Sequence, residues 1–214
     1  MNTATLHYIF DPLCGWCYGA APLVQAAQTL PGLRIALHAG GMMTGSNRRR
    51  LGDEWRNYVM PHDKRIASLT GQKFGEKYFN GLLRDTTAVM DSTPPITAIL
   101  AAEQIAGRGV DMLRLIQEAH YQEGQRIADT PVLTSLAKAL GLSTAVFLAE
   151  MRFKSGAPTT QHIAESRALL AQIQGHGFPT FALQHSDGHL RQIPVGNYLG
   201  DVAAWKELLS NTAH

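Results

Sequence analysis

Apolar and polar residues change rhythm three times along the chain. Residues 6–10, Leu-His-Tyr-Ile-Phe, read as a strand that Asp11-Pro12 stops. An Ala-rich apolar stretch runs from Cys14 to Leu30, with Pro22 inside it. This predicts a helix kinked or broken at the proline. Pro31-Gly32 ends the stretch, and 33–38, Leu-Arg-Ile-Ala-Leu-His, alternates as a second strand. A β-α-β start of this kind predicts parallel strands with a right-handed crossover.

From 43 to 157 the pattern becomes helical. A helix over 53–69 is expected to be interrupted at Pro61. Thr93-Pro94-Pro95 starts another, Asp111 caps a third, Thr130-Pro131 starts a fourth that Gly141 closes, and Ser143 starts a fifth through Met151. Their apolar faces need a shared core, which predicts an inserted bundle. A β/α texture then returns. A helix capped by Thr160 ends at Gly175, and 178–183 reads as a strand. Asp187-Gly188 marks a hairpin turn within 184–189, the partner strand spans 190–195 with Pro194 near its end, and a last helix covers about 200–209. The expected fold class is α/β. The order β-α-β, helices, α-β-β-α is that of a thioredoxin-like core, residues 1–42 and 158–214, with a large inserted α-helical domain, residues 43–157.

Composition narrows the function. Of 214 residues, 45% are hydrophobic and 17% charged, which is globular usage. A net charge of +2 is too small to suggest a nucleic-acid partner. No apolar run approaches the ~18 residues of a membrane span. The start, Met1 to Thr5, lacks the charged and apolar parts of a secretory signal. The expected location is therefore cytoplasmic, without membrane or nucleic-acid partners.

The only cysteines are Cys14 and Cys17. Two thiols exclude a four-cysteine zinc site, and a bridge closing so short a loop gains little chain entropy. A redox pair, a mixed metal site with histidines, or two inert thiols remain. The Cys-Gly-Trp-Cys spacing at a strand-to-helix turn favours the redox pair. Disulfide exchange proceeds through a thiolate, and the start of a helix, with unpaired N–H groups and the positive dipole end, favours one at Cys14. Cys17, one turn on, is within reach to close a disulfide.

The segment Asp11-Pro12-Leu13-Cys14-Gly15-Trp16-Cys17 resembles the DsbA family of thiol-disulfide oxidoreductases, and within it the FrnE-like branch of disulfide isomerases. The helical insertion and Gly177-Phe178-Pro179-Thr180 before the third strand extend the resemblance over nearly the whole chain. It implies a disulfide reductase or isomerase with Cys14 as nucleophile and Cys17 as resolving thiol. It implies a cis Pro179 facing both sulfurs, and a Phe178 backbone free to pair with substrate. Trp16 offers a flat apolar surface to substrate. Gly15 and Trp16 replace the proline and histidine common in related groups, a departure from a strongly oxidising character. Asp11 either takes a proton from Cys17 through water or caps the active-site turn.

The implied partners are protein or small-thiol disulfides, glutathione among them, and a recycling reductant or oxidant. No metal or other cofactor is implied. Two rivals share the fold or the groove. One is a glutathione-dependent transferase or isomerase of the kappa-class or hydroxychromene carboxylate isomerase type, which typically carries serine where Cys14 stands. The other is a non-catalytic peptide-binding module. Lesser candidates are His62 and His120 as metal partners, Arg48-Arg49-Arg50 as an anion site, Met42-Met43 as groove lining, and Asp91 to Pro95 as a pocket entrance.

Overall fold

The computed structural model describes residues 4–185 and 187–212. A four-stranded sheet holds β1 (Ala4–Phe10), β2 (Leu33–Ala39), β5 (Thr180–Gln184) and β6 (Leu190–Ile193), in the order β2-β1-β5-β6. β1 runs parallel to β2, from Ala4 opposite Leu33 to Phe10 opposite Ala39. β5 is antiparallel to both β1 and β6. The central β1 is covered on both faces, which is why Ala-Thr-Leu-His-Tyr-Ile-Phe is nearly continuously buried rather than alternating.

One face of β1 points Tyr8 toward the first two helices, α1 (Gly15–Gly19) and α2 (Ala21–Gln28). The Tyr8 hydroxyl donates to the carbonyl of Cys17 at 3.2 Å, and its ring stacks on Phe181. The last helix, α9 (Val202–Thr212), closes this face. Its buried Trp205 meets Phe181 edge-on and donates its indole N–H to the Leu23 carbonyl of α2 at 2.9 Å. The opposite face carries His7, stacked on His38 and bonded to it at 2.9 Å, under α8 (Ala157–Gln172). His162 of α8 accepts from the Ala39 N–H at 3.0 Å, docking the helix on the end of β2.

Between β2 and α8 lie α3 (Asp53–Thr70), α4 (Thr93–Ala106), α5 (Gly109–Tyr121), α6 (Thr130–Ala139) and α7 (Thr144–Lys154). A π-turn at Lys77–Gly81 and a 3₁₀ turn at Leu82–Arg84 join α3 to the rest. α4 is the central helix of the bundle, with Ile96, Ala98, Ile99, Ala101 and Ala102 all buried. The bundle and the sheet share one continuous apolar core. Thr97 and Thr159, whose hydroxyls are 2.9 Å apart, tie α4 to α8 inside it.

Several expected boundaries move. Of the two expectations at Pro22 the break is the one seen, placed just before it: α1 ends at Gly19 and α2 starts at Ala21, with Pro22 in its first turn. α3 runs unbroken through Pro61. Pro61 and Asn57 lie on its exposed side, where the carbonyl that loses its N–H partner is open to solvent, while Asp63 and Ile66 anchor the next turn. α5 starts at Gly109, before Asp111, which pairs instead with Arg108. α8 starts at Ala157, with Pro158 in its first turn, rather than at Thr160. Residues 178 and 179 precede β5, β6 ends at Ile193 before Pro194, and α9 begins at Val202. The hairpin turn carries Gly188 at φ 85°, the left-handed region that glycine tolerates, while residue 186 lies outside the described residues. So do the first three residues, on which the reading of the chain start partly rests. A small antiparallel pair, β3 (Arg49–Arg50) with β4 (Val89–Met90), was not expected: two residues per strand leave no periodicity to read.

Candidate active site

The end of β1 makes a tight turn into α1. The Leu13 N–H donates to Asp11 Oδ1 at 2.8 Å and the Cys14 N–H to the Asp11 carbonyl at 3.1 Å, an Asx-type turn followed by a helix start. Cys14 is the N-cap of α1, with extended backbone, and its sulfur accepts from the Cys17 N–H at 3.3 Å. A helix-terminal donor therefore points at this sulfur. Both cysteines are free thiols. Cys14 is 6% exposed and Cys17 fully buried. Burial, and then the hydrogen bond to the Cys14 sulfur, push the Cys17 thiol above its ordinary range. The pair is thus asymmetric, with Cys14 lining the cleft beside it and Cys17 wholly enclosed.

The loop before β5 closes on Cys14. The Phe178–Pro179 peptide is cis. The Cys14 thiol lies 3.5 Å from the Phe178 carbonyl oxygen. The Phe178 ring sits against Gly40, where a Cβ would come within 2.1 Å of its Cζ. Arg167 of α8 holds that stretch by donating to the carbonyls of Gly40 (2.7 Å) and Gly41 (2.6 Å). Cys14, Cys17, Phe178 and Pro179 are therefore brought to one place from opposite ends of the chain.

A cleft of about 310 Å³ opens from Cys14. Trp16, Met42 and Phe178 line one side, and Trp55, Tyr58, Val59, His62 and Asp63 of α3 form the other. Trp16 and Phe178 are half-buried, as apolar surfaces at a cleft mouth should be. Gly15 packs face-on against α3: a Cβ there would lie 2.9 Å from Asp63 Oδ1 and 3.1 Å from Ile66 Cδ1. Gly19, one turn on, meets Ile66 in the same way. The glycine between the cysteines thus lets the Asp63 and Ile66 side chains of the insertion pack flush against α1.

Asp11 is completely buried and fully engaged. Beside the Leu13 bond, Oδ1 accepts from the Ser92 hydroxyl at 2.9 Å, and Oδ2 accepts from the Met42 N–H at 2.5 Å. Burial raises its carboxyl to about 6, against the pull of the Leu13, Met42 and Ser92 donors and of the Arg167 charge. Its place is that of a buried knot joining β1, the end of β2 and the start of α4.

The lesser candidates separate. Met42 lines the cleft, whereas Met43 is core. His62 rims the cleft beside Tyr58. His120 is buried among Tyr78 and Tyr121, and burial holds it neutral, down to about 4. Among the described residues no group of three His, Cys, Asp or Glu side chains is placed to hold a metal ion. Arg48 pairs with Asp91, and Arg49 lies over the Trp55 ring at 4.7 Å, so the basic run does not converge on one anion. Asp91 takes the Thr93 N–H at 2.8 Å, a turn at the entrance of α4. Sequence reasoning passed over Asp63, Trp55 and Tyr58. For the two aromatics, their i, i+3 spacing ahead of Pro61 was the available signal.

The sequence matches the model of the DSBA-like thioredoxin domain over residues 5–198. Among solved structures, the cytosolic disulfide reductase DsbM from Pseudomonas aeruginosa is similar at 52% identity and a TM-score of 0.91, over 97% of each chain. A second structure of that protein, with GSH, is similar at 51% identity and a TM-score of 0.90, over 97% of this chain and 98% of the other. The oxidoreductase DsbA from Xylella fastidiosa shares the fold at 15% identity, TM-score 0.53, over 99% of this chain and 84% of the other. A comparison with curated proteins returns no match. No helix among the described residues is long and apolar enough to cross a membrane. With the family model covering most of its length, the chain belongs to the DSBA-like thioredoxin domain family.

Proposed function

We propose that this chain is a thiol-disulfide oxidoreductase working in the direction of disulfide reduction or isomerisation, with Cys14 as nucleophile and Cys17 as resolving thiol. The observation that carries the reading is the asymmetry of the pair: the Cys14 sulfur faces the cleft, takes a hydrogen bond from the Cys17 N–H at the start of α1, and abuts the Phe178 carbonyl, while Cys17 waits behind it. The Cys14 thiolate attacks a substrate disulfide and forms a mixed disulfide, and the first substrate thiol leaves. Cys17 then attacks the Cys14 sulfur and releases the second. Each cycle oxidises the pair to a disulfide and reduces the substrate to two thiols, so an external thiol must restore it.

The 52% identity to a cytosolic disulfide reductase supports the reducing direction and a cytoplasmic location. The GSH-bound structure of that relative supports glutathione as the small thiol, either as recycling reductant or as one half of a mixed-disulfide substrate. Trp16 and Phe178 would hold the substrate, with Pro179 ending the backbone that meets it. Asp11 shapes the turn in this reading, and Gly15 admits α3. The insertion 43–157 then serves the core of 1–42 and 158–214 by supplying the far wall of the cleft. A 2-hydroxychromene-2-carboxylate isomerase is similar at 16% identity and TM-score 0.60, over 98% of each chain, a likeness of fold alone.

The test is a pair of variants. Cys14→Ser is expected to abolish reduction of a glutathione mixed disulfide, and Cys17→Ala to accumulate a covalent adduct at Cys14 visible by intact mass. Turnover by Cys14→Ser would defeat the reading and favour a non-redox binding module.

A further inference from the structure

Asp63 is the group on the cleft wall that the two-cysteine scheme leaves unused. It is 4% exposed, yet it has no ion pair among the described residues. Its one hydrogen-bond partner there is the Tyr78 hydroxyl, which donates to Oδ2 at 3.0 Å. Oδ1 faces Gly15, the residue after Cys14, so closely that a Cβ there would lie 2.9 Å from it and the carboxyl would have to shift. A buried carboxyl without a cation is costly to keep, and this one lines the same cavity as the Cys14 sulfur.

The direction of attack explains its place. Exchange proceeds with the three sulfurs in line, so the departing sulfur sits roughly 4 Å beyond Cys14, two S–S bond lengths. The Phe178 carbonyl blocks one side of Cys14 and Cys17 lies behind it. The open direction is the cleft, whose wall is Asp63 and its neighbours on α3.

We propose that Asp63 carries the proton of the exchange, taking it from the Cys14 thiol and delivering it to the departing substrate sulfur. This rests on the oxidoreductase reading above. The carboxylate first accepts the Cys14 proton. The Cys14 thiolate then attacks, the Cys14–substrate S–S bond forms as the substrate S–S bond breaks, and the departing sulfur leaves with the electron pair of that bond. The Asp63 carboxyl returns its proton to that sulfur, so one thiol is consumed, one is released and Asp63 is unchanged. Burial sets the carboxyl at about 7, with the Tyr78 hydroxyl pulling it down, so both forms are present at neutral pH. The titratable groups around it are Cys14 and Cys17 from α1, Tyr78 from the π-turn, Tyr121 from α5, and Tyr58 and His62 on α3 itself. Asp11 is not in a position to share the task, since three donors already occupy its oxygens.

The experiment uses leaving groups of different acidity. Reduced protein is mixed with bis(2-hydroxyethyl) disulfide, whose departing alkyl thiolate is strongly basic, and with 5,5′-dithiobis(2-nitrobenzoate), whose aromatic thiolate leaves without a proton. Single-turnover rates are followed from pH 5 to 9. Asp63→Asn should lose at least about tenfold more rate on the alkyl than on the aromatic disulfide. In the unsubstituted protein the alkyl rate should rise as the pH passes about 7, where Asp63 becomes the carboxylate that accepts the Cys14 proton, and in Asp63→Asn this limb should vanish. Tyr78→Phe, which removes the donor to Oδ2 but keeps the ring, should move the limb to higher pH, and it serves as the test if Asp63→Asn does not fold. Equal losses on both disulfides, an unmoved limb, or its removal by His62→Gln instead would overturn the assignment. If the unsubstituted protein reduces neither disulfide, it is the oxidoreductase reading that fails.

Discussion

Replacing Asp63 by asparagine should make the protein more stable at alkaline pH and leave it unchanged in acid. Burial raises this carboxyl from the ordinary 3.8 to about 7 in the folded chain. Folding therefore favours the protonated form. Below about pH 4 the group is neutral in both states and carries no penalty. Between there and about pH 7 the unfolded chain releases the proton and the folded chain keeps it, so stability falls by about 1.4 kcal/mol per pH unit. Above that range the loss is complete, and it amounts to about 4 kcal/mol. Asparagine keeps an oxygen for the Tyr78 hydroxyl and never ionises, so it escapes the loss. Urea unfolding of both proteins in the reduced state at pH 4, 6 and 8 measures the difference directly, since the Asp11 titration is common to both. The advantage of Asp63→Asn should be near zero at pH 4 and several kcal/mol at pH 8. A difference that does not change with pH, or a variant less stable at pH 8, would refute an unpaired carboxyl as the source.

Two further outcomes test the loop that faces the cysteines. Gly40→Ala places a methyl 2.1 Å from the Phe178 ring, which must swing away; the expected cost is about 1–3 kcal/mol in urea unfolding, with slower reduction of the glutathione mixed disulfide as the Phe178 carbonyl leaves Cys14. Pro179→Ala restores an N–H beside the sulfurs, and it should lengthen the life of the mixed disulfide at Cys14, measured by intact mass after acid quench; an unchanged lifetime would remove Pro179 from the mechanism.

What could be read from the chain depended on how local its cause was. The cysteine pair at a strand-helix junction, the first two strands and the Thr-Pro helix starts depend on neighbours within a few residues, and the structure places them within two residues of where the sequence suggested. Pro179 entered through the family resemblance of Gly-Phe-Pro-Thr and not through a local pattern, and the neighbouring Phe178 carbonyl meets Cys14 across more than 160 residues. Asp11 was ambiguous: its turn is local, but its bonds to Met42 and Ser92 come from distant segments. Asp63 was not legible. Nothing in Met-Pro-His-Asp-Lys-Arg distinguishes it from the solvated charges around it, and its burial follows only from the docking of α3 on α1. The pairing of Arg49 and Arg50 with Met90 and Val89 was not legible, because a two-residue strand has no pattern of its own.

The glycine of Cys-Gly-Trp-Cys joins these observations. A residue with a side chain at position 15 would push back both Asp63 and Ile66, and Gly19 repeats the constraint one turn later. The flush face of α1 lets α3 approach closely enough to bring a buried carboxyl beside the residue that follows Cys14. That approach costs stability at neutral pH, because the carboxyl has no cation among the described residues to offset its burial. A sequence shaped by stability alone would place an apolar residue or an amide at 63, and retention of an acid there is the pattern expected where activity and stability conflict. The inter-cysteine residue and the acid on the insertion therefore act as one unit, so a larger residue at 15 should disturb proton delivery through Asp63 as well as the cysteine pair itself.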